Sequence, residues 1–191
     1  MLSFTVVHAL TACLIAADAD ADALGWGQPA TLLLLHDQPT TAARCQREVR
    51  SLEFPLRRED LPTDAGRLPA LLQHLAGALR DPAAGTPYRA TLAAILGRIH
   101  ATAPDARVLA WAACYDDIHT LDGPPRPVRR VDAVDTDGRV YQLTHLRGED
   151  QPVLLVDDTP DLTASPTGPG LAALLTASTH HTSTITGRGM A

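Results

Sequence analysis

The sequence predicts an α+β domain, with an antiparallel sheet of about five strands packed by helices. Three observations carry that expectation. Apolar residues recur at helix period in three stretches, two short apolar runs have strand length, and one segment reads as a hairpin around Asp135-Thr136-Asp137-Gly138. Hairpin-linked strands with helices clustered before and between them favour α+β over a βαβ arrangement. The 191-residue, 20.3 kDa chain is long enough to bury roughly 70% of its unfolded surface. It is expected to form one domain over residues 1–178, with a disordered tail over 179–191.

Val7, Leu10, Leu14, Ala17, Ala21 and Leu24 recur at three- and four-residue steps, and Gly25 fits the stop of that helix. Residues 31–35 form a continuous apolar run between Pro29 and the turn-like His36-Asp37-Gln38-Pro39, which predicts a buried central strand. The next stretch admits two readings. One is a helix over 41–50 with Arg44, Arg47 and Arg50 on one face. The favoured one is a strand near 48–54 closed by Pro55. Leu61-Pro62-Thr63-Asp64 opens a helical region. Leu68, Leu71, Leu72, Leu75 and Leu79 then make a helix stripe ending at Asp81-Pro82, and Tyr88, Leu92, Ile95, Leu96 and Ile99 make another before Pro104. Residues 107–115 read as a strand buried on both sides, because Val108, Leu109, Ala110 and Trp111 do not alternate. Gly138 supplies the positive φ of the hairpin turn, residues 153–156 add an edge strand, 157–170 read as a loop, and 171–177 as a short helix.

This element order, α-β-β-α-α-β-β-β-(β)-α over roughly residues 5–178, resembles the roadblock and profilin-like folds, and less closely a PAS-like sensor domain. The resemblance lies in the order of elements and involves no shared motif, so it implies architecture and not activity.

Composition narrows the function. The chain has 16 basic and 22 acidic residues, for a formal net charge of −6. An acidic chain lacks the cationic field that captures phosphates, so a nucleic-acid partner is not expected. There is no lysine and no asparagine, and all 16 basic residues are arginine. That bias points to a high-GC coding sequence, from a bacterium or its phage, and not to selection for bidentate phosphate contacts. Cys13, Cys45 and Cys114 form neither a disulfide framework nor a zinc spacing, which suits a reducing cytoplasm. Leu10-Thr11-Ala12-Cys13 resembles a lipobox, but no Arg or Lys precedes it. No uninterrupted apolar run reaches 18 residues, so no membrane span is expected.

The polar clusters lead mostly to structural roles. Asp18, Asp20 and Asp22 lack the glycine and the terminal acid of a calcium loop and read as a solvated acidic helix end. Asp132, Asp135 and Asp137 fail the same test and are assigned to the hairpin turn. Cys114 with Asp116, Asp117 and His119 has the residue types of a nucleophile and base, although a buried Cys114 would be a small hydrophobe. His36-Asp37 is a candidate acid/base pair at a strand end, and His74 and His100 fall on helix surfaces. The adjacent His180 and His181 lack the further ligands a metal needs. Arg126, Arg129 and Arg130 form the compact basic patch, with Arg57-Arg58 nearby. Trp26, between Gly25 and Gly27, is either a packing plug or an interface anchor. No phosphate-binding, dinucleotide, zinc-protease or serine-hydrolase motif is present, so neither cofactor nor metal is expected.

These features predict a small cytoplasmic binding or interaction module that uses a protein partner or self-association. Trp26, Asp116, Asp117, His119, Arg126, Arg129 and Arg130 are its candidate contacts. The alternative is a small-molecule sensor or enzyme whose pocket uses His36, Asp116, Asp117 or His119. Convergence of those four side chains would favour the alternative.

Overall fold

The computed structural model describes residues 1–39, 47–61, 64–81, 86–120, 124–162 and 165–187, with side chains in the last stretch as far as Thr179. Cys45, the first part of the 41–50 segment, the His180 and His181 side chains and residues 188–191 lie outside it. Among the described residues are four α-helices and six strands, with the strands grouped two and four between helices. They are α1 (Phe4–Leu24), β1 (Thr31–Pro39), β2 (Arg47–Phe54), α2 (Leu68–Arg80), α3 (Pro87–Thr102), β3 (Arg107–His119), β4 (Arg126–Asp135), β5 (Val140–Leu146), β6 (Val153–Asp157) and α4 (Gly168–Gly187). The strands form one antiparallel sheet in the order β2-β1-β3-β4-β5-β6. The α+β class is as expected, with six strands in place of five.

Period-two alternation divides the sheet into two faces. Leu33, Leu35, Ala112, Val131, Ala133, Tyr141 and Leu143 meet Leu10 and Leu14 of α1 on one side. Leu32, Leu34, Trp111, Ala113 and Val134 face α2, α3 and α4 on the other. One helix therefore covers the first face and three cover the second. Gly170 permits the close approach of α4 to α2, since a Cβ there would lie 2.5 Å from Leu72 Cβ. Trp111, fully buried, donates from Nε1 to Ser178 Oγ at 2.9 Å. Gly138 adopts φ +85° in the β4–β5 turn. Asp135 closes that turn by accepting from Asp137 N (2.8 Å), Arg139 N (3.0 Å) and Tyr141 Oη (2.8 Å).

Several expectations change. Residues 36–39 continue β1 instead of turning, because Asp37 finds partners on both neighbouring strands. Residues 47–54 are strand, as favoured. β3 continues past residue 115, where the strand was expected to end, to His119, so Asp116, Asp117 and His119 belong to it. Their register partners Arg129, Val128 and Arg126 hold them there. α4 is helical to Gly187, so residues 179–187 extend a helix where a tail was expected. Asp18 is not solvated, being 3% exposed. Asp132 is not a turn residue. It is buried beside α4 and accepts from Tyr115 Oη (2.8 Å) and Thr167 Oγ1 (2.6 Å). By length and composition α1 is apolar enough to cross a membrane, but here it lies on the sheet through Leu10, Leu14 and Asp18.

Candidate ligand-binding cleft at the Trp26 end of the sheet

The site begins with an arginine on the α1-facing row of β4. Arg129 precedes Val131 and Ala133 in that row, so pleating aims its long side chain under the C-terminal end of α1. It is 1% exposed. Its Nε donates to Asp116 Oδ1 (3.0 Å), Nη1 to Asp22 Oδ1 (3.3 Å) and Nη2 to the Gly25 carbonyl (2.9 Å). A buried cation is thus met by two carboxylates and by the negative end of a helix dipole. The guanidinium carbon lies 4.5 Å from the centroid of the Trp26 ring, within cation–π range. Asp116 Oδ2 accepts from Gly27 N at 2.6 Å, which fixes the other side of the Gly25-Trp26-Gly27 turn.

His145 completes the frame. It follows Tyr141 and Leu143 along the same face of β5, with Nδ1 2.8 Å from Asp18 Oδ2 and Nε2 2.8 Å from the Glu149 carbonyl. A carboxylate and a carbonyl are both acceptors, which favours the doubly protonated ring. Burial works against that charge, but the hydrogen bond to the Glu149 carbonyl and the one to Asp18 outweigh it and raise the His145 pKa above its ordinary value. Trp26 meets the His145 ring edge-on, with centroids 6.5 Å apart.

Outside this frame lies a cleft of about 460 Å³, lined by Trp26, Gly27, Asp64, Ala65, Gly66, Asp116, Asp117, Ile118, Pro127 and Arg147. It joins the α1–β1 connection, the end of β3, the start of β4, the turn after β5 and the approach to α2. Arg147 is exposed, 5.7 Å from the Trp26 centroid, and makes no ion pair among the described residues. Asp117 lies on the opposite face from Asp116. Its Oδ2 accepts from Arg130 Nε (3.2 Å) and its Oδ1 from Ile118 N (2.8 Å).

Of the residues singled out from the sequence, Trp26, Asp116, Asp117 and Arg129 are brought together here, with Arg130 behind Asp117. Arg126 pairs instead with Glu149 at 3.2 Å. The three arginines therefore form no continuous basic patch, because pleating separates Arg129 from Arg130 and each has an acidic partner. His119, half-buried at the end of β3, is not among the cleft's lining residues. His36 lies at the opposite end of the sheet, and burial is the main force lowering its pKa. The convergence that would favour the enzyme or sensor reading is thus limited to two aspartates, each already bonded. Cys114 is buried and its pKa is pushed up to about 12, chiefly by burial, so it is a thiol at neutral pH. Among the described residues no group of three or more His, Cys, Asp or Glu could hold a metal.

The opposite end holds a different cluster. Asp37 is fully buried and accepts from Arg47 Nε and Nη2 (2.8 Å each), Arg107 N (2.8 Å), Arg107 Nε (3.1 Å) and Arg107 Nη2 (2.6 Å).

Sequence reading missed Asp18, His145 and Arg147. Asp18 did leave a signal, as it continues the four-residue spacing of Leu10 and Leu14 on the buried stripe. His145 likewise continues the alternation of Tyr141 and Leu143. Comparison with protein-family models, curated proteins and solved structures finds no match for this chain. The roadblock, profilin-like and PAS-like resemblances therefore rest on element order alone.

Proposed function

We propose that this α+β chain is a binding module that docks a segment of a partner protein in the Trp26 cleft. The supporting observation is the convergence there of Trp26 and Arg147, residue types that dominate interface energetics, on a frame built from distant parts of the chain. Trp26 is held by the buried Arg129, which lowers the entropy cost of presenting it. Asp116 and Asp117 are bonded to arginines and to backbone amides, which suits a scaffold better than a general base. A small-molecule sensor is the second reading, favoured by a cleft volume of about 460 Å³, within the ~300–1,000 Å³ of ordinary ligand sites.

The test is selection of binders from a random peptide library, followed by titration of each against the wild type, Arg147→Glu and Leu52→Lys. Leu52 lies on the exposed edge strand β2, away from the cleft. The docking reading expects peptides that bind the wild type and Leu52→Lys equally and lose at least roughly tenfold, about 1.4 kcal/mol, with Arg147→Glu. Peptides indifferent to Arg147→Glu, or no peptides at all, contradict it. A stoichiometric small ligand retained in native mass spectrometry would favour the second reading.

A further inference from the structure

Arg147 is the one cation among the residues lining the Trp26 cleft. The arginines around it already have acids: Arg126 has Glu149, Arg129 has Asp116 and Asp22, Arg130 has Asp117, and Arg67 has Asp64. Arg147 has none among the described residues, yet its backbone is tied down. Its N–H donates to the Pro127 carbonyl at 3.0 Å, and the turn that holds it closes from Glu149 N to the Leu146 carbonyl, also at 3.0 Å. His145 Nε2 holds the Glu149 carbonyl at the end of the same turn. The guanidinium is thus carried beside Trp26 on a fixed stretch of backbone, which lowers the ordering cost of binding through it.

The cleft aspartates are in the opposite condition. Asp116 accepts from Arg129 Nε on one oxygen and from Gly27 N on the other, and Asp117 from Arg130 Nε and Ile118 N. A partner's lysine or arginine would find each of these oxygens with a donor in place. It would also meet Arg147 as a like charge, beside an indole that already faces Arg129.

We propose that the segment docked in the cleft carries a single aspartate or glutamate, whose side chain pairs with Arg147, next to an apolar side chain received by Trp26, Ile118 and Pro127. This rests on the docking reading and names the chemistry of the partner. Ile118, 52% exposed, supplies the apolar contact that burial by a partner would reward. A single acid follows from the sign of the surrounding charge. Asp64 and Asp117 line the same cleft and the chain carries a net charge of −6, so a run of acids would be repelled. A side chain follows from the backbone: capture of a terminal carboxylate uses a nest of N–H groups, and Gly27 N and Ile118 N are taken by Asp116 and Asp117.

The probes are the library peptides selected on the full chain, each remade with its acids changed one at a time to the matching amide, and once with an amidated C-terminus. Their affinities are measured against the wild type, Arg147→Gln, Arg147→Lys and Arg147→Glu, all changes at an exposed position. In each peptide that Arg147→Glu weakens, the change of one acid should cost about tenfold on the wild type and less than about twofold on Arg147→Gln. Arg147→Lys should keep the dependence on that acid, and a lysine in its place should restore binding to Arg147→Glu. Amidating the C-terminus should change nothing. Peptides weakened by Arg147→Glu in which no single acid depends on Arg147 overturn the acidic partner and leave the docking reading standing. A dependence carried by the C-terminal carboxylate overturns the assignment to a side chain. No peptide sensitive to Arg147→Glu overturns this proposal and the docking reading together.

Discussion

Both ends of the sheet are organised by an ion cluster, but with opposite polarity. At the Asp37 end a fully buried anion is ringed by Arg47 and Arg107, whose side chains are 27% and 61% exposed. At the Trp26 end a buried cation, Arg129, is ringed by Asp116 and Asp22, 20% and 52% exposed. In each case one charge leaves water while its partners stay partly hydrated, which limits the desolvation cost. The difference lies in what covers the cluster. The Asp37 carboxylate is fully enclosed by β1, β2 and β3. Arg129 is roofed by an aromatic ring whose other side opens on a cleft. The first cluster closes the fold, and the second presents a surface.

The largest expected effect comes from removing the buried cation. Arg129→Ala leaves the Gly25 carbonyl without this donor and Trp26 without support, and should cost about 3–5 kcal/mol in urea unfolding. If it costs less than Asp37→Asn, the buried cation is not the larger contributor of the two clusters. Asp37→Asn exchanges charge-assisted hydrogen bonds for weaker ones and should cost about 2–3 kcal/mol, with the cleft unaffected.

pH separates the clusters in opposite directions. Burial opposes ionisation of Asp37, but hydrogen bonds from Arg47 and Arg107 outweigh it and hold the folded pKa below the ordinary 3.8. That stability is present above about pH 4 and is lost as pH falls through the lower folded value. His145 has a folded pKa above the ordinary 6.5. Its stability is complete below the unfolded value and is lost as pH rises through the folded one. Urea midpoints against pH should therefore lose part of their acid-side dependence in Asp37→Asn, with Asp60, Asp105 and Asp137 keeping the rest, and show a weaker near-neutral alkaline-side loss in His145→Gln. An unchanged alkaline limb in His145→Gln would remove the imidazolium from the account. The smallest stability effect belongs to Arg147→Glu, an exposed residue. It should change the unfolding free energy by less than about 0.5 kcal/mol while weakening peptide binding at least roughly tenfold.

The sequence made the layers legible because burial imposes period: Leu10 and Leu14 predict α1, and the unbroken apolar run over 31–35 predicts the buried β1. The hairpin was legible because Gly138 has a local reason to be there. The polar interior was not, because its partners come from afar. Asp18 meets His145 across 127 residues and Arg129 meets Asp22 across 107, and no local spacing encodes such pairs. Strand ends were misread for the same reason: Asp37 looks like a turn former until the arginines that satisfy it are in place, and β3 runs past residue 115 to His119 where Asp116 and Asp117 meet Arg129 and Arg130. Trp26 and Asp116 could be nominated as contacts, but Arg147 acquires meaning only beside the Trp26 ring.

Two tryptophans offer the most direct test of the claim that the Trp26 end is the binding end. Trp111 is buried, with its indole bonded to Ser178, whereas Trp26 is partly exposed in the cleft. In a ¹⁵N–¹H spectrum titrated with a selected peptide, the Trp26 indole signal should shift to saturation while that of Trp111 stays in place. Saturable binding that leaves the Trp26 indole unmoved would contradict the account and locate the contact elsewhere on the molecule.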